Sequence, residues 1–263
     1  MRKLMCLIAA MSAAPAAAQD RDLCVDRPGL GTPPCTVATG KVMVELGLVD
    51  WTLDRTPETR TDTIVAGDVL VRIGVADHAE VRLGWTSFGH VRERDRLAGS
   101  IDAGSGVGDI LVGLNRNLVS PDGSGMSISI LPYATLPVGG SAIGAGDWSA
   151  GVLIPISFAL GDYLALTVTP EIDAAVDEDR TGRHLAYGSV VGLGIDISDA
   201  LSAGVEVQVL HDRDPGGSIT QSLAGLSLGW QPDADMQWDV GANLGFNRAS
   251  PDVQLYAGVS RRF

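Results

Sequence analysis

From Lys41 onward, apolar residues recur at every second position. Val42, Val44, Leu46 and Leu48 alternate with Lys41, Glu45 and Gly47, and Val69, Val71, Ile73 and Val75 with Asp68, Leu70, Arg72 and Gly74. The same alternation places Val81, Leu83 and Trp85 against Glu80, Arg82 and Gly84. Later it places Leu201, Ala203, Val205, Val207 and Val209 against Ser202, Gly204, Glu206 and Gln208. Successive side chains of a strand point to opposite faces, so this period predicts strands rather than helices. About twelve such segments can be counted, most near the length of a tilted membrane-spanning strand, roughly 9–11 residues.

The links between segments alternate in length. Short ones fall at Ala76 to His78, Val119 to Gly125, Gly161 to Asp162, Ser198 to Ala200 and Pro232 to Ala234. Longer, more polar ones fall at Thr52 to Asp62, Arg92 to Gly106, Val138 to Asp147, Val176 to Arg183 and Asp212 to Gly217. Short turns at one end and longer loops at the other are the pattern of an outer-membrane barrel. One face of the segments is apolar, with Trp148, Phe158, Trp230, Trp238 and Phe246 placed for interfacial girdles. The other carries Glu45, Asp68, Arg72, Glu80, Arg82, Asp109, Glu171, Asp173, Asp196, Glu206, Gln208, Asp239 and Asn243. A soluble sandwich would bury the apolar faces instead. The expectation is an all-β, closed antiparallel transmembrane β-barrel over residues 41–263, porin-like, in the bacterial outer membrane.

The N-terminus is expected to be a signal peptide, residues 1–18. Arg2 and Lys3 precede an apolar run to Met11, and Ala16, Ala17 and Ala18 offer a small-residue cleavage site. Residues 19–40 are then an N-terminal segment on the periplasmic side, either plugging the barrel or hanging free. Export to an oxidising compartment makes a Cys24–Cys35 disulfide the expected pairing. The whole chain carries 19 basic against 32 acidic residues, a net charge of −13, so it lacks the basic surface of a nucleic-acid binder. Only 19% of residues are charged and 45% are hydrophobic, which argues against disorder. The expected partners are outer-membrane lipid, small-molecule solutes and the barrel assembly machinery, which would read the C-terminal strand ending in Phe263. Arg261 stands at the third position from the end, where an apolar residue is usual.

Several motifs together resemble the phenol-degradation meta-pathway family of outer-membrane proteins. They are Val25 to Gly29, Gly40 to Glu45, Gly106 to Asp109, Leu131 to Pro137, and Gln254 to Ser260 followed by Arg262 and Phe263. The resemblance runs over nearly all of the chain beyond the leader. It implies a transporter-like barrel and carries over no catalytic residues.

No catalytic, cofactor or metal site is expected. His78, His90, His184 and His211 show no metal-binding spacing. A hydrolase would have to be built from His211, Asp212 and Ser218, without an oxyanion-hole motif. Gly104 to Gly108 opens a strand and not a helix, which excludes a phosphate loop. The residues expected to set passage are the inward charges Asp68, Arg72, Glu80, Arg82, Asp109, Glu171 and Glu206. A carboxylate-rich lumen favours cations, whereas internal pairing of Arg72 and Arg82 with the acids would pack it. Pro132, Pro155 and Pro170 fall midway in three consecutive strands, as ordinary bulges or as a weakening of the wall that lets apolar molecules leave sideways. The competing reading is a non-conducting structural or adhesion barrel whose loops, chiefly Arg92 to Gly106, hold a partner.

Overall fold

The computed structural model describes residues 21–263, so the expected signal peptide lies outside the described residues. All regular structure among them is β. The strands are β1 (Val42–Arg55), β2 (Thr59–Ala76), β3 (Ala79–Asp95), β4 (Ile101–Gly106), β5 (Ile110–Val119), β6 (Met126–Leu136) and β7 (Ser149–Leu153). They continue with β8 (Ile156–Ala159), β9 (Leu164–Val176), β10 (Arg183–Ser198), β11 (Leu201–Asp214), β12 (Gly217–Asp233), β13 (Met236–Gly245) and β14 (Val253–Arg262). Each pairs antiparallel with its neighbours, and β14 pairs with β1, from Met43 opposite Arg262 to Leu53 opposite Val253. The sheet is therefore closed and has no free edge.

The fourteen pieces occupy twelve wall positions, because two wall strands are interrupted. β4 and β5 both lie against β3, the first along Gly89 to Arg94 and the second along Ala79 to Trp85. Gly108 bridges their gap by donating its N–H to Thr86 O at 2.9 Å. β7 and β8 likewise share one position between β6 and β9, broken at Ile154 and Pro155. A proline has no N–H for the ladder. The wall is held across this break by Ile154 N–H to Pro170 O and Ser129 N–H to Pro155 O, both 2.9 Å. Pro132 and Pro170 sit inside continuous strands.

The two faces separate as the alternation requires. Leu83, Val112, Leu114, Val191, Val207, Leu226, Trp230 and Val240 are exposed, whereas Glu45, Arg72, Glu80, Asn115, Ser127 and Ser129 are buried. A continuous apolar belt of this kind is covered by lipid and not by water.

Some expected loops are shorter than the polarity of the sequence suggests. The Thr52 to Asp62 link is mostly strand, with Asp54 opposite Thr61 and Arg55 opposite Arg60. Arg92 to Gly106 is a hairpin in which Arg92 faces Ala103 and Arg94 faces Ile101. Asp212 to Gly217 narrows to two residues between β11 and β12. Backbone pairing does not require apolar side chains, so the strands run on into water where the sequence turns polar.

The inside-out register gives a direct test. Val207 faces outward midway along β11, and Gln208 faces inward beside it. In lipid vesicles, Val207→Arg should lower urea unfolding stability by about 2–4 kcal/mol, while Gln208→Arg should leave the midpoint nearly unchanged.

Candidate functional site

Residues 21–40 form no strand. They run through the barrel interior and are held there by inward side chains of β1, β2 and β3. The register brings Arg72 opposite Arg82 and Gly74 opposite Glu80. Two directly opposed arginines would repel each other, but the Glu80 carboxylate accepts from both, from Arg72 Nε at 2.8 Å and Arg82 Nε at 2.8 Å. Arg72 Nη1 donates to Glu45 at 3.0 Å and to the Cys24 carbonyl at 2.6 Å, and Nη2 to the Cys35 carbonyl at 3.3 Å. The side chains of Arg72, Glu45 and Glu80 have no solvent exposure.

The same carboxylates grip the segment's backbone. Glu45 accepts the N–H groups of Asp26 and Arg27 at 2.9 Å, and Glu80 accepts that of Val37 at 2.7 Å. Arg82 Nη1 donates to Asp26 at 2.9 Å. A Cys24–Cys35 disulfide closes the loop between these anchors, with Cα atoms 6.2 Å apart. On the far side, Asn117 Nδ2 donates to Pro34 O at 2.9 Å and Thr36 N–H to Pro121 O at 3.0 Å. Pro121 belongs to a short turn in which the backbone N–H and hydroxyl of Ser124 hold the Asp122 carboxyl below the usual carboxylate range.

The tip of the loop, Arg27 to Gly31, crosses the lumen. The Arg27 guanidinium meets Asp239 of β13 in a two-pronged contact at 2.9 and 3.2 Å. Glu206 of β11 accepts the N–H groups of Leu30 at 2.6 Å and Gly31 at 3.1 Å. A Cβ at Gly29 would press on that carboxylate, so a side chain there would push Glu206 aside from the Leu30 and Gly31 amides.

Two cavities flank the tip, and both touch Asp26, Arg27, Pro28 and Gly29. One, about 290 Å³, lies against Asp50, Asp68, Asn243, Gln254 and Tyr256. The other, about 230 Å³, extends past Glu206 and Thr167 to Asp196 and Ser202, beside the turn between β10 and β11. An open depression lies at the wall near Pro132, Tyr133, Val152, Ile172 and Leu185. There Tyr133 donates its hydroxyl to Asp173 at 2.6 Å across side-chain-free Gly151.

The seven charges singled out from the sequence thus fall into different settings. Arg72, Glu80 and Arg82 anchor the segment, and Glu206 holds its tip. Asp68 lines the larger tip cavity and accepts from Thr86 at 2.7 Å. Glu171 lies in β9, two residues before Asp173. Asp109 stands apart, accepting the N–H groups of Gly139 and Ala145, each at 2.8 Å, and so folding the loop between β6 and β7. Glu45, Asp239 and Asn243 join the site from alternating strands, where periodicity alone marks them as inward, whereas Asp50 turns inward only because β1 is bulged between Gly47 and Val49. Asp26 and Arg27 lie in an irregular stretch and have no such signal.

The candidate hydrolase residues are not assembled. His211 Nδ1 pairs with the Thr220 hydroxyl at 2.9 Å, while the Asp212 carboxylate lies 2.6 Å from His184 Nε2. His184 also lies near Asp177 and Asp214, at 2.9 and 3.4 Å, an ion-pair cluster at the loop rim drawn from β10, β11 and the loop after β9.

A closed antiparallel barrel with an apolar exterior, a charged interior and an inserted terminal segment is an outer-membrane barrel, and the bacterial outer membrane is where it resides. The chain belongs to the family described as "Putative MetA-pathway of phenol degradation", whose model matches residues 25–263. Among solved structures it is similar to an outer membrane channel from Pseudomonas putida F1. The TM-score is 0.68 at 14% identity, covering 90% of this chain and 99% of that one. It is also similar to the NanC porin, with a TM-score of 0.53 at 8% identity, covering 84% and 98%. No curated protein matches the sequence.

The tip's attachment is testable. Hydrogen bonds to charged groups contribute about 1.5–3 kcal/mol each. The Glu206→Gln/Asp239→Asn variant should therefore exchange the amides of Leu30 and Gly31 at least about tenfold faster than the parent, with strand amides unchanged. Hydrogen exchange read by mass spectrometry checks this.

Proposed function

We propose that the barrel passes small solutes passively across the outer membrane, through the lumen and past the Arg27 to Gly31 tip, with a preference for cations. The supporting observation is the pair of cavities on either side of the tip, in a lumen whose nearby bases are all committed. Arg72 and Arg82 are neutralised by Glu45, Glu80 and Asp26, and Arg27 by Asp239. Asp50, Asp68, Glu171 and Asp173 take part in no ion pair among the described residues. Carboxylates without partnered cations leave a negative field along the path, which raises cation occupancy. The family membership and the likeness to an outer membrane channel agree with this reading. Planar-bilayer recordings of the folded protein under a KCl gradient should give a reversal potential of cation-preferring sign. Asp68→Asn/Glu171→Gln should move it toward zero. Folded barrels that insert without conducting would sink the proposal.

The open depression beside Pro132 favours a second route for apolar solutes, sideways between β6, β7 and β9 where Pro155 interrupts the ladder. If it operates, Pro132→Val/Pro155→Val/Pro170→Val should slow uptake of a small aromatic hydrocarbon into cells while leaving ion conductance as it was. Unchanged uptake in the triple variant rules this route out.

A further inference from the structure

At the barrel end away from the short turns 77–78, 199–200 and 234–235, strands β1, β2 and β3 carry arginines on their outer face. Short turns belong to the periplasmic end of such a barrel, so this end is external. The register fixes the face. Leu255 of β14, Trp51, Ile64 and His90 stand at one level. Gln254 and Tyr256, on either side of Leu255, line the lumen cavity, so the row of Leu255 points outward. Two residues further along, the outward row is Val253, Leu53, Asp62 and Arg92, and the next is Arg55, Arg60 and Arg94. No shift of register interrupts these rows.

Three arginines thus lie side by side on adjacent strands, which are about 4.8 Å apart. Like charges directly opposite each other repel. The chain offsets part of this charge. Arg55 meets Asp252 at 3.2 and 3.3 Å, and Arg60 meets Asp62 at 2.8 and 2.9 Å. Arg96 donates to Thr56 O at 3.3 Å, which ties the β3–β4 turn to the β1–β2 turn. Arg92 and Arg94 have no side-chain hydrogen bond or ion pair among the described residues, and Arg94 is exposed. In a chain of net charge −13, this local excess of bases is not background composition.

The same face is apolar below the arginines. Ile64 and Phe88 are exposed on it. Arg92 follows Phe88 by four residues along β3, about 13 Å. That spacing sets the guanidinium groups at the height of lipid headgroups, above the acyl chains. A guanidinium fork matches phosphate oxygens in pairs. Arg92 and Arg94 together leave two positive charges. A phosphodiester brings one negative charge, whereas a phosphomonoester brings about 1.5 to 2 near neutral pH. In the external leaflet, the lipid with phosphomonoester groups is the phosphorylated glycolipid. We infer that this rim binds that glycolipid, with a phosphate on Arg92 and Arg94 and acyl chains against Ile64 and Phe88. The site is independent of how solutes cross the barrel.

The test is native mass spectrometry of the folded protein in neutral detergent micelles with diphosphoryl lipid A. Dephosphorylated lipid A and phosphatidylglycerol serve as the uncharged and diester counterparts. Diphosphoryl lipid A should bind at least about tenfold more tightly than either, the scale of a charged hydrogen bond. Arg92→Gln/Arg94→Gln should weaken it at least about tenfold, while Arg213→Gln, on β11, should leave it within a few-fold of the parent. Heat-modifiable electrophoretic mobility confirms that each variant is folded. Undiminished binding in Arg92→Gln/Arg94→Gln overturns the inference, and so does equal affinity for phosphatidylglycerol or for dephosphorylated lipid A. Inorganic phosphate that binds as tightly as lipid A makes the rim a free-anion site and overturns it as well.

Discussion

Arg72 is fully buried inside a membrane barrel, and the rest of the interior is arranged around satisfying it. A buried guanidinium is tolerated only when its donors are paired and its charge is balanced. Strand neighbours supply the charge through Glu45 and Glu80, but they do not supply every acceptor. Two of the remaining acceptors are the carbonyl oxygens of Cys24 and Cys35, which belong to the N-terminal segment. In return, Glu45 and Glu80 take backbone N–H groups from Asp26, Arg27 and Val37. The wall and the segment complete each other's polar groups, so the segment's place in the lumen follows from the same bonds that make the buried charges tolerable.

That arrangement decides which charges remain available to a solute. Anchoring and tip contacts commit Arg72, Arg82 and Arg27, leaving Asp50, Asp68, Glu171 and Asp173 on β1, β2 and β9 without an ion pair among the described residues. The electrostatic bias of the lumen is therefore a consequence of how the segment is fastened. A barrel with the same wall and no segment would leave Arg27 out of the lumen and uncover Glu45, Glu80 and Asp239, changing both the width and the balance of the path.

The wall was legible in the sequence because a strand in a membrane barrel has one strict rule, apolar outside and polar inside. Glu45, Arg72, Glu206 and Asp239 could be assigned to the interior from period alone. The interruptions at Val107 to Asp109 and at Ile154 and Pro155 were less visible, since a break that keeps its neighbours' bonds leaves the alternation on either side intact. Charged stretches such as Arg92 to Gly106 read as loops because polarity replaces alternation once a strand leaves the lipid. Partner identity lay further out of reach. Nothing in the periodicity of Asp109 distinguishes a lumen charge from the acceptor of two loop amides, and nothing in Arg27-Pro28-Gly29 announces an ion pair with a strand 212 residues away.

The segment is not fastened evenly along its length. At its base, Cys24 and Cys35 are joined, and the residues next to them are bonded to side chains with no exposure at all. At its tip, Arg27 keeps a side-chain exposure of 20% beside Asp239, and the Glu206 contacts end on backbone amides flanked by cavities on both sides. Closing the base with a covalent link shortens the free chain to the residues between the two cysteines and limits how far they can wander. Displacement is thus confined to the part of the segment that separates the two cavities. For the proposed passage, widening would require only the tip's contacts to yield, while the buried charge cluster that supports the barrel's interior stays closed.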